Sequence, residues 1–511
     1  MRILPWSKMR YATEAPLLKM TSSLGSPRVM ASSGIGLTRP SKAQRRFVAI
    51  VVLIYLLAIV EGVLRKWLLP SYSQYLFFIR DPFVLLAYFV AWQGHLIPRR
   101  GVWFRALVAL AVFGALIAMV QALATGFATQ QLILLAYGWR NYFLYGPLAI
   151  LIGTQFGRED LQRVFRWSLL LAIPIAVLMV MQFRADPRAP INVGISEDKN
   201  LQFRGLGLDS EHTRPMGPFT STTGETEFSA SSFAILLALI VLPPRRRSVP
   251  PVLLLFGGCA ILTTVAVGGS RGALVHCGIS LAFSMLLGLA PWARPSRWRA
   301  TFLPALVVAS AALSYPIIFP EGFQAFVHRW EVADQFESER VSGGIFGRAL
   351  LGFVDFAGLL DAVPLLGRGL GSSGNAGIAD ANASQAFGSE LVVAENDWGR
   401  QIVELGPILG VGYITLRVAL TLWLARTVWR GRRRADNPIA MLLFSFVAPE
   451  ILIGQITGHG SVHVFGWLFL GFTLAACRAS PAPVSKGRAE RLRAGVQRAS
   501  AAPISITVPP P

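Results

Sequence analysis

The stretch RRFVAIVVLIYLLAIVEGVLRK, residues 45–66, opens on two arginines, runs apolar from Phe47 to Val60, and closes on Glu61, Arg65 and Lys66. The hydrocarbon layer of a membrane is about 30 Å thick, so a helix that crosses it needs roughly 20 mainly apolar residues. Residues 47–63 form such a run, and the pattern recurs along the chain. Apolar runs lie near residues 47–63, 74–94, 103–125, 131–153, 167–183, 229–242, 251–267, 272–290, 302–319, 405–425, 438–456 and 461–477. The reading that follows is an all-α polytopic membrane bundle of about twelve transmembrane helices. Composition agrees: of 511 residues, 53% are hydrophobic and 15% charged, with a mean hydropathy of +0.52, too apolar for a soluble protein of this size.

The net charge of +21 could suggest a nucleic-acid partner, but the placement of the charges points to topology. Thirty-two of the 48 Lys and Arg residues fall in the arm 1–46, the loops around Arg99, Arg163, Arg246, Arg297 and Arg432, and the tail from Arg478. With twelve spans these segments share one side, which the positive-inside rule makes cytoplasmic. The expectation is a bacterial inner-membrane protein with both termini in the cytoplasm, a disordered basic arm at 1–46, a disordered tail at 478–511, and no nucleic-acid partner. Spans one to nine occupy 47–319 and spans ten to twelve 405–477. The outer loops 184–228 and 320–404 together hold 19 acidic and 10 basic residues. The large outer, periplasmic loop 320–404, between helices nine and ten, is expected to pack as a small cap, with a helical stretch from Ile345 to Leu360. Cys259, Cys277 and Cys477 have neither disulfide-framework nor metal-ligand spacing, so no metal and no cofactor is called for.

Ionisable residues inside a span cost a few kcal/mol each and point to function by default. Here they are Glu61, Arg80, Asp81, Arg140, Arg417 and Glu450, five of them toward the outer side. Pairing with one another would account for the carboxylates, and Arg417 could serve helix packing alone. Gly268-Gly269-Ser270-Arg271-Gly272 is a very short outer turn that holds the Arg271 guanidinium at headgroup level. Arginine suits bidentate contact with phosphate oxygens; a snorkelling interfacial arginine would look the same in sequence.

The end of the second outer loop is the most informative segment: Leu366-Gly367-Arg368-Gly369-Leu370-Gly371, a Gly, Ser, Ala and Asn rich stretch, then Ala394-Glu395-Asn396-Asp397-Trp398-Gly399-Arg400 leading through Glu404 to Gly410. Together with Gly269-Ser270-Arg271 and Arg214-Pro215-Met216-Gly217-Pro218-Phe219, this segment resembles the bacterial O-antigen ligase and O-antigen polymerase superfamily, over residues 47–477. The resemblance implies a multi-helix, metal-independent glycosyltransferase. It would move glycan units from a polyprenyl-diphosphate-linked oligosaccharide to an acceptor glycan or glycolipid among membrane lipids, with chain-length regulator and flippase proteins as partners. Ligases of that family place a histidine before the Asn; Glu395 stands there here, which favours a polymerase.

Such a transfer needs the diphosphate neutralised and an acceptor hydroxyl deprotonated. Arg271, Arg140, Arg214 and Arg80 are the candidates for the first task, and Glu395, with Arg271, for catalysis as base and charge stabiliser. Asn396, Arg400, Glu404 and Arg368 are candidates for glycan contacts. A histidine could replace Glu395: His328, His459 or His463, or less readily His212, whereas His276 reads as packing. A secondary transporter or lipid-linked sugar flippase is the alternative, since twelve spans with both ends inside is also a transporter plan.

Overall fold

The computed structural model describes residues 40–98, 101–124, 126–127, 129–195, 212–289, 297–340, 353–373, 396–431 and 437–478, and the described residues form helices joined by loops and turns, with no strand pairing into a sheet. The first helices are α1 (Lys42–Val63), α2 (Asp81–Gln93), α3 (Val102–Ala124), α4 (Thr129–Trp139), α5 (Gly146–Gln155) and α6 (Arg158–Arg184). Then follow α7 (Thr222–Val241), α8 (Pro251–Gly268), α9 (Arg271–Leu289), α10 (Arg297–Ile318) and α11 (Pro320–Arg340). The last are α12 (Asp397–Leu405), α13 (Pro407–Arg430), α14 (Asn437–Leu452) and α15 (Gly460–Arg478).

Ten helical segments among the described residues are long and apolar enough to cross a membrane, which makes the chain a polytopic helical bundle. Of the twelve runs expected, 131–153 divides into α4, a π-helical turn (Arg140–Leu144) and α5, and 438–456 shortens to α14 of 16 residues. The division follows from Gly146-Pro147, since the proline ring has no N–H to carry the ladder backward and instead starts α5. A second π turn, Leu64–Leu68, ends α1. The sixth span starts at Thr222 rather than 229, so Glu225 and Glu227 lie inside it. The reason is full burial: α7 runs through the centre of the bundle, with 94% of its apolar window buried, and its Thr, Ser and Glu side chains meet other helices instead of lipid. By contrast only 6% of α10 is buried.

Side-chain contacts define two ends. At one, Gln44 donates to Gln155 O, Gln155 to Leu96 O, Arg158 to Arg246 O and Arg478 to Gly153 O. At the other, the loop end, Lys66 donates to Gly217 O, Arg214 to Gly268 O and Gln121 to Leu366 O. Of the expected cap on 320–404, α11, a 3-10 turn at Asp355–Leu359, the glycine loop to Ser373 and α12 are described; residues 345–352 lie outside the described residues.

The glycine loop is seated on the bundle backbone to backbone. A Cβ on Gly138 would overlap Leu370 and Gly371, and Gly371 itself has φ +82° against Leu134 O. Gly138→Ala is therefore expected to cost about 1–3 kcal/mol through overpacking. Gly278→Ala, in open space on α9, should be neutral. Thermal unfolding of the purified protein in detergent checks the pair, and equal midpoints would refute this account of the loop's seating.

Candidate functional site

The first group of site residues comes from the two π turns and the start of α2. A π turn adds a residue to the helix and redirects the side chains that follow. Those side chains here are Arg65, Lys66 and Arg140. Arg140 makes a bidentate pair with Asp81, Nε to Oδ2 at 2.8 Å and Nη2 to Oδ1 at 3.1 Å, and Tyr145 donates to the same carboxylate at 3.2 Å. Arg65 donates to Glu61 at 2.9 Å. Arg80 Nε stands 3.0 Å from the other Glu61 oxygen but is not aligned for a hydrogen bond, and its guanidinium hydrogen-bonds no described residue. Arg80 is only 3% exposed. The Phe77 ring holds the group together, with Arg140 5.0 Å and Arg65 5.2 Å from its centroid. Lys66, also buried, donates to Gly217 O at 2.7 Å and lies over the Trp67 ring. Three guanidiniums thus face two carboxylates, with an ammonium nearby paired only to a carbonyl.

The second group is built on α12. Asp397 Oδ2 accepts from Arg417 at 2.6 Å, and Oδ1 accepts from Thr457 Oγ1 at 2.7 Å and Arg400 at 3.2 Å. Arg417 spends its remaining nitrogens on Ile451 O and Gly454 O, each at 2.7 Å, so it fixes helix packing. Arg400 also donates to Ser373 O, and its guanidinium lies against Gly458 so closely that a Cβ there would collide with it. Glu404 Oε1 accepts from Ser373 N at 3.1 Å. Gln121 clamps the glycine loop to this helix, donating to Leu366 O and Glu404 O and accepting from Leu370 N.

The segment Thr457-Gly458-His459-Gly460 separates the two groups: Thr457 and Gly458 touch Asp397 and Arg400, while Gly460 lies 3.7 Å, by its would-be Cβ, from Arg80 Nη2. A third group sits at the α8–α9 turn. Gly269 takes φ +55°, Ser270 Oγ accepts from Thr226 at 2.7 Å, Arg214 Nε donates to Gly268 O, and Glu225 packs on Gly268. Arg271 begins α9 there.

The structure brings Arg80 and Arg140 together, places Arg214 and Arg271 at a separate turn, and commits Arg400 to Asp397. Arg368 donates its backbone N–H to Val403 O, and the Asn396 carbonyl accepts from Arg400 N. Glu395 lies outside the described residues. Of the histidines, His276 pairs with Glu450 at 2.8 Å, His463 Nδ1 is 2.7 Å from Ile456 O, His459 is 3.4 Å from Ser221 Oγ, His212 stacks on Phe183, and His328 is exposed. No protein-family model matches the chain, and no curated protein is significantly similar to it. The site therefore has to be read from its own chemistry.

Sequence reasoning missed Arg65, Lys66, Asp397 and Tyr142. The first two follow Glu61 at helical spacing and were legible as its partners; Tyr142 carried no signal, because a tyrosine in an apolar run looks like core.

Burial raises the Glu404 carboxyl to about 7, against the opposing pull of the Arg400 guanidinium and of its own hydrogen bonds. A raised carboxyl keeps its proton in the fold where the unfolded chain has released it, so wild-type stability declines as pH climbs from the ordinary value of 4.5 to about 7. The full effect is of order 3 kcal/mol at 1.36 kcal/mol per unit. Glu404→Gln lacks this penalty. Its unfolding midpoint relative to wild type is expected to be higher at alkaline than at acidic pH, as checked by melting curves across that range; a difference independent of pH would contradict the assignment.

Proposed function

We propose that the chain is a metal-independent glycosyltransferase of the O-antigen polymerase or ligase type, acting in the bacterial inner membrane. In this reading the chain crosses the membrane twelve times, counting α4 with α5 as one pass and α14 as another. Both termini are cytoplasmic and the loop end faces outward. The substrate is a polyprenyl-diphosphate-linked glycan unit, transferred to an acceptor glycan in surface polysaccharide or exopolysaccharide synthesis.

The observation that carries the reading is the buried cation surplus of Arg65, Arg80 and Arg140 over Glu61 and Asp81, with Arg80 ion-paired to Glu61 but making no aligned hydrogen bond to it. A guanidinium held out of water with open donors calls for an anion, and a diphosphate at the end of a lipid chain reaches that depth while its glycan projects outward. As the bond to the sugar breaks, charge accumulates on the leaving phosphate oxygen, and preorganised guanidiniums stabilise it without reorganisation. Arg214 and Arg271, at a neighbouring turn, extend the positive surface for the same carrier.

The flippase or transporter reading has one observation in its favour. Glu227 and the Glu450–His276 pair lie within the spans, where ionisable groups mark transport paths.

Replacing Arg80 or Arg140 with Gln in the source strain should abolish long surface polysaccharide at normal protein level, with single-unit glycan retained on gels for a polymerase. Normal chain length in both variants would refute the site. Loss of all surface glycan, with precursor confined to the inner leaflet, would favour the flippase.

A further inference from the structure

A transfer of this kind also needs a group to take the acceptor's proton, and that group must have a lone pair to spare and a proton affinity near neutrality. The buried carboxylates of the loop end are nearly all committed to basic side chains. Glu61 serves Arg65 and Arg80, Asp81 serves Arg140, Asp397 serves Arg400 and Arg417, and Glu450 serves His276. Glu225 and Glu227 lie on α7, where Glu225 accepts from Ser229 and packs on Gly268 and Glu227 faces Glu450, so neither is placed by the glycine loop's bonds as Glu404 is.

Glu404 differs. Its Oε1 holds Ser373 N, while Oε2, with only the Tyr142 phenol within reach, accepts no well-aligned hydrogen bond although the residue is 1% exposed. Two more buried atoms make no well-aligned hydrogen bond: Oη of Tyr142, which lies within reach of Glu404 and Thr457, and Oε1 of Gln401, one helical turn before Glu404 on α12. An acid oxygen, a phenol and an amide oxygen, all buried and without well-aligned bonds, suit a ligand that both donates and accepts hydrogen bonds, as the hydroxyls of a saccharide do.

Resting on the glycan-transfer reading, we propose that Glu404 is the proton acceptor of the reaction and that Tyr142 and Gln401 seat the attacking hydroxyl of the acceptor sugar beside it. The hydroxyl oxygen bonds to the anomeric carbon of the donor sugar. The carbon–oxygen bond to the diphosphate breaks, its electron pair leaving on the phosphate oxygen toward Arg80 and Arg140, and the hydroxyl proton passes to Glu404 Oε2, which later releases it to water. The acceptor enters when the Leu370–Ser373 end of the glycine loop lifts, which breaks Ser373 N on Oε1, Leu370 N on Gln121 and Arg400 on Ser373 O and withdraws Leu370 from its cluster. Burial, which raises the carboxyl to about 7, gives it the affinity the task needs.

The test uses the full-length protein in lipid nanodiscs, supplied with lipid-linked oligosaccharide extracted from source cells lacking the gene. Chain elongation is followed on gels across pH, and inorganic pyrophosphate serves as the binding probe. Wild type should gain rate about tenfold per pH unit up to about 7 and then level, as a single essential base requires. Glu404→Gln should lose about a hundredfold or more, lose that limb, and bind pyrophosphate as wild type does. Glu404→Asp should keep part of the rate with the limb displaced, showing that the site still folds. Elongation by Glu404→Gln within about threefold of wild type, well below what a base contributes, or an unchanged limb, overturns the inference and leaves the transferase reading standing. So does loss of the limb in Glu395→Gln instead. Absence of elongation by wild type, with no pyrophosphate bound, overturns both.

Discussion

The carboxylate of Asp397 ties together three parts of the chain that are far apart in sequence. Its two oxygens receive Arg400 from its own helix, Arg417 from α13 and Thr457 from the segment after α14. A charge with so little exposure is stable only when compensated, and removing one member of a buried pair costs about 3–5 kcal/mol because the other is left stranded. The α12 side of the loop end takes its position from this triad. Arg417 holds α13 to the end of α14, Arg400 is set against Gly458 and under Ser373, and the next turn of α12 presents Gln401 and Glu404 inward.

The dependence runs on through backbone packing. The glycine loop meets α4 in two ways: its peptide groups lie on Gly138, which leaves no room for a Cβ, and the Leu370 side chain is buried in a cluster with Leu135, Tyr142 and Leu405. Gln121 then joins the loop to α12 with its amide alone. The loop is thus held by a few hydrogen bonds worth about 1 kcal/mol each and by one buried leucine anchor.

Much of this architecture was legible in the sequence. The apolar runs gave the helices because a lipid solvent leaves the backbone no other choice. Arg80, Asp81 and Arg140 stood out because charge in an apolar run is costly, and they do meet. What was hidden follows from the same physics. The polar start of α7 scored as loop because hydropathy averaging cannot tell a helix buried in protein from a segment in water, so Glu225 and Glu227 were assigned outside. The π turns at Leu64–Leu68 and Arg140–Leu144 left no composition signature, yet they aim Arg65, Lys66 and Arg140. Asp397 was passed over in favour of its neighbour Glu395, since a sequence shows which residues are charged but not which are already compensated.

Compensation also separates structural from chemical charge at the loop end. Arg417, with every nitrogen bonded, has nothing left to offer a ligand. Arg80, buried beside Glu61 yet unaligned with it, retains its donors, and the low dielectric that makes this expensive also strengthens whatever anion it meets. Glu404 is the acidic counterpart: one oxygen secures a loop and the other is open. A fold selected for stability alone would have little reason to keep a buried guanidinium poorly aligned with its carboxylate and a buried carboxyl oxygen without a well-aligned donor, on opposite sides of the short Thr457–Gly460 segment. That opposed placement matches a reaction in which negative charge grows on one substrate while a proton leaves the other, with the strain of both groups relieved only when the two substrates are bound.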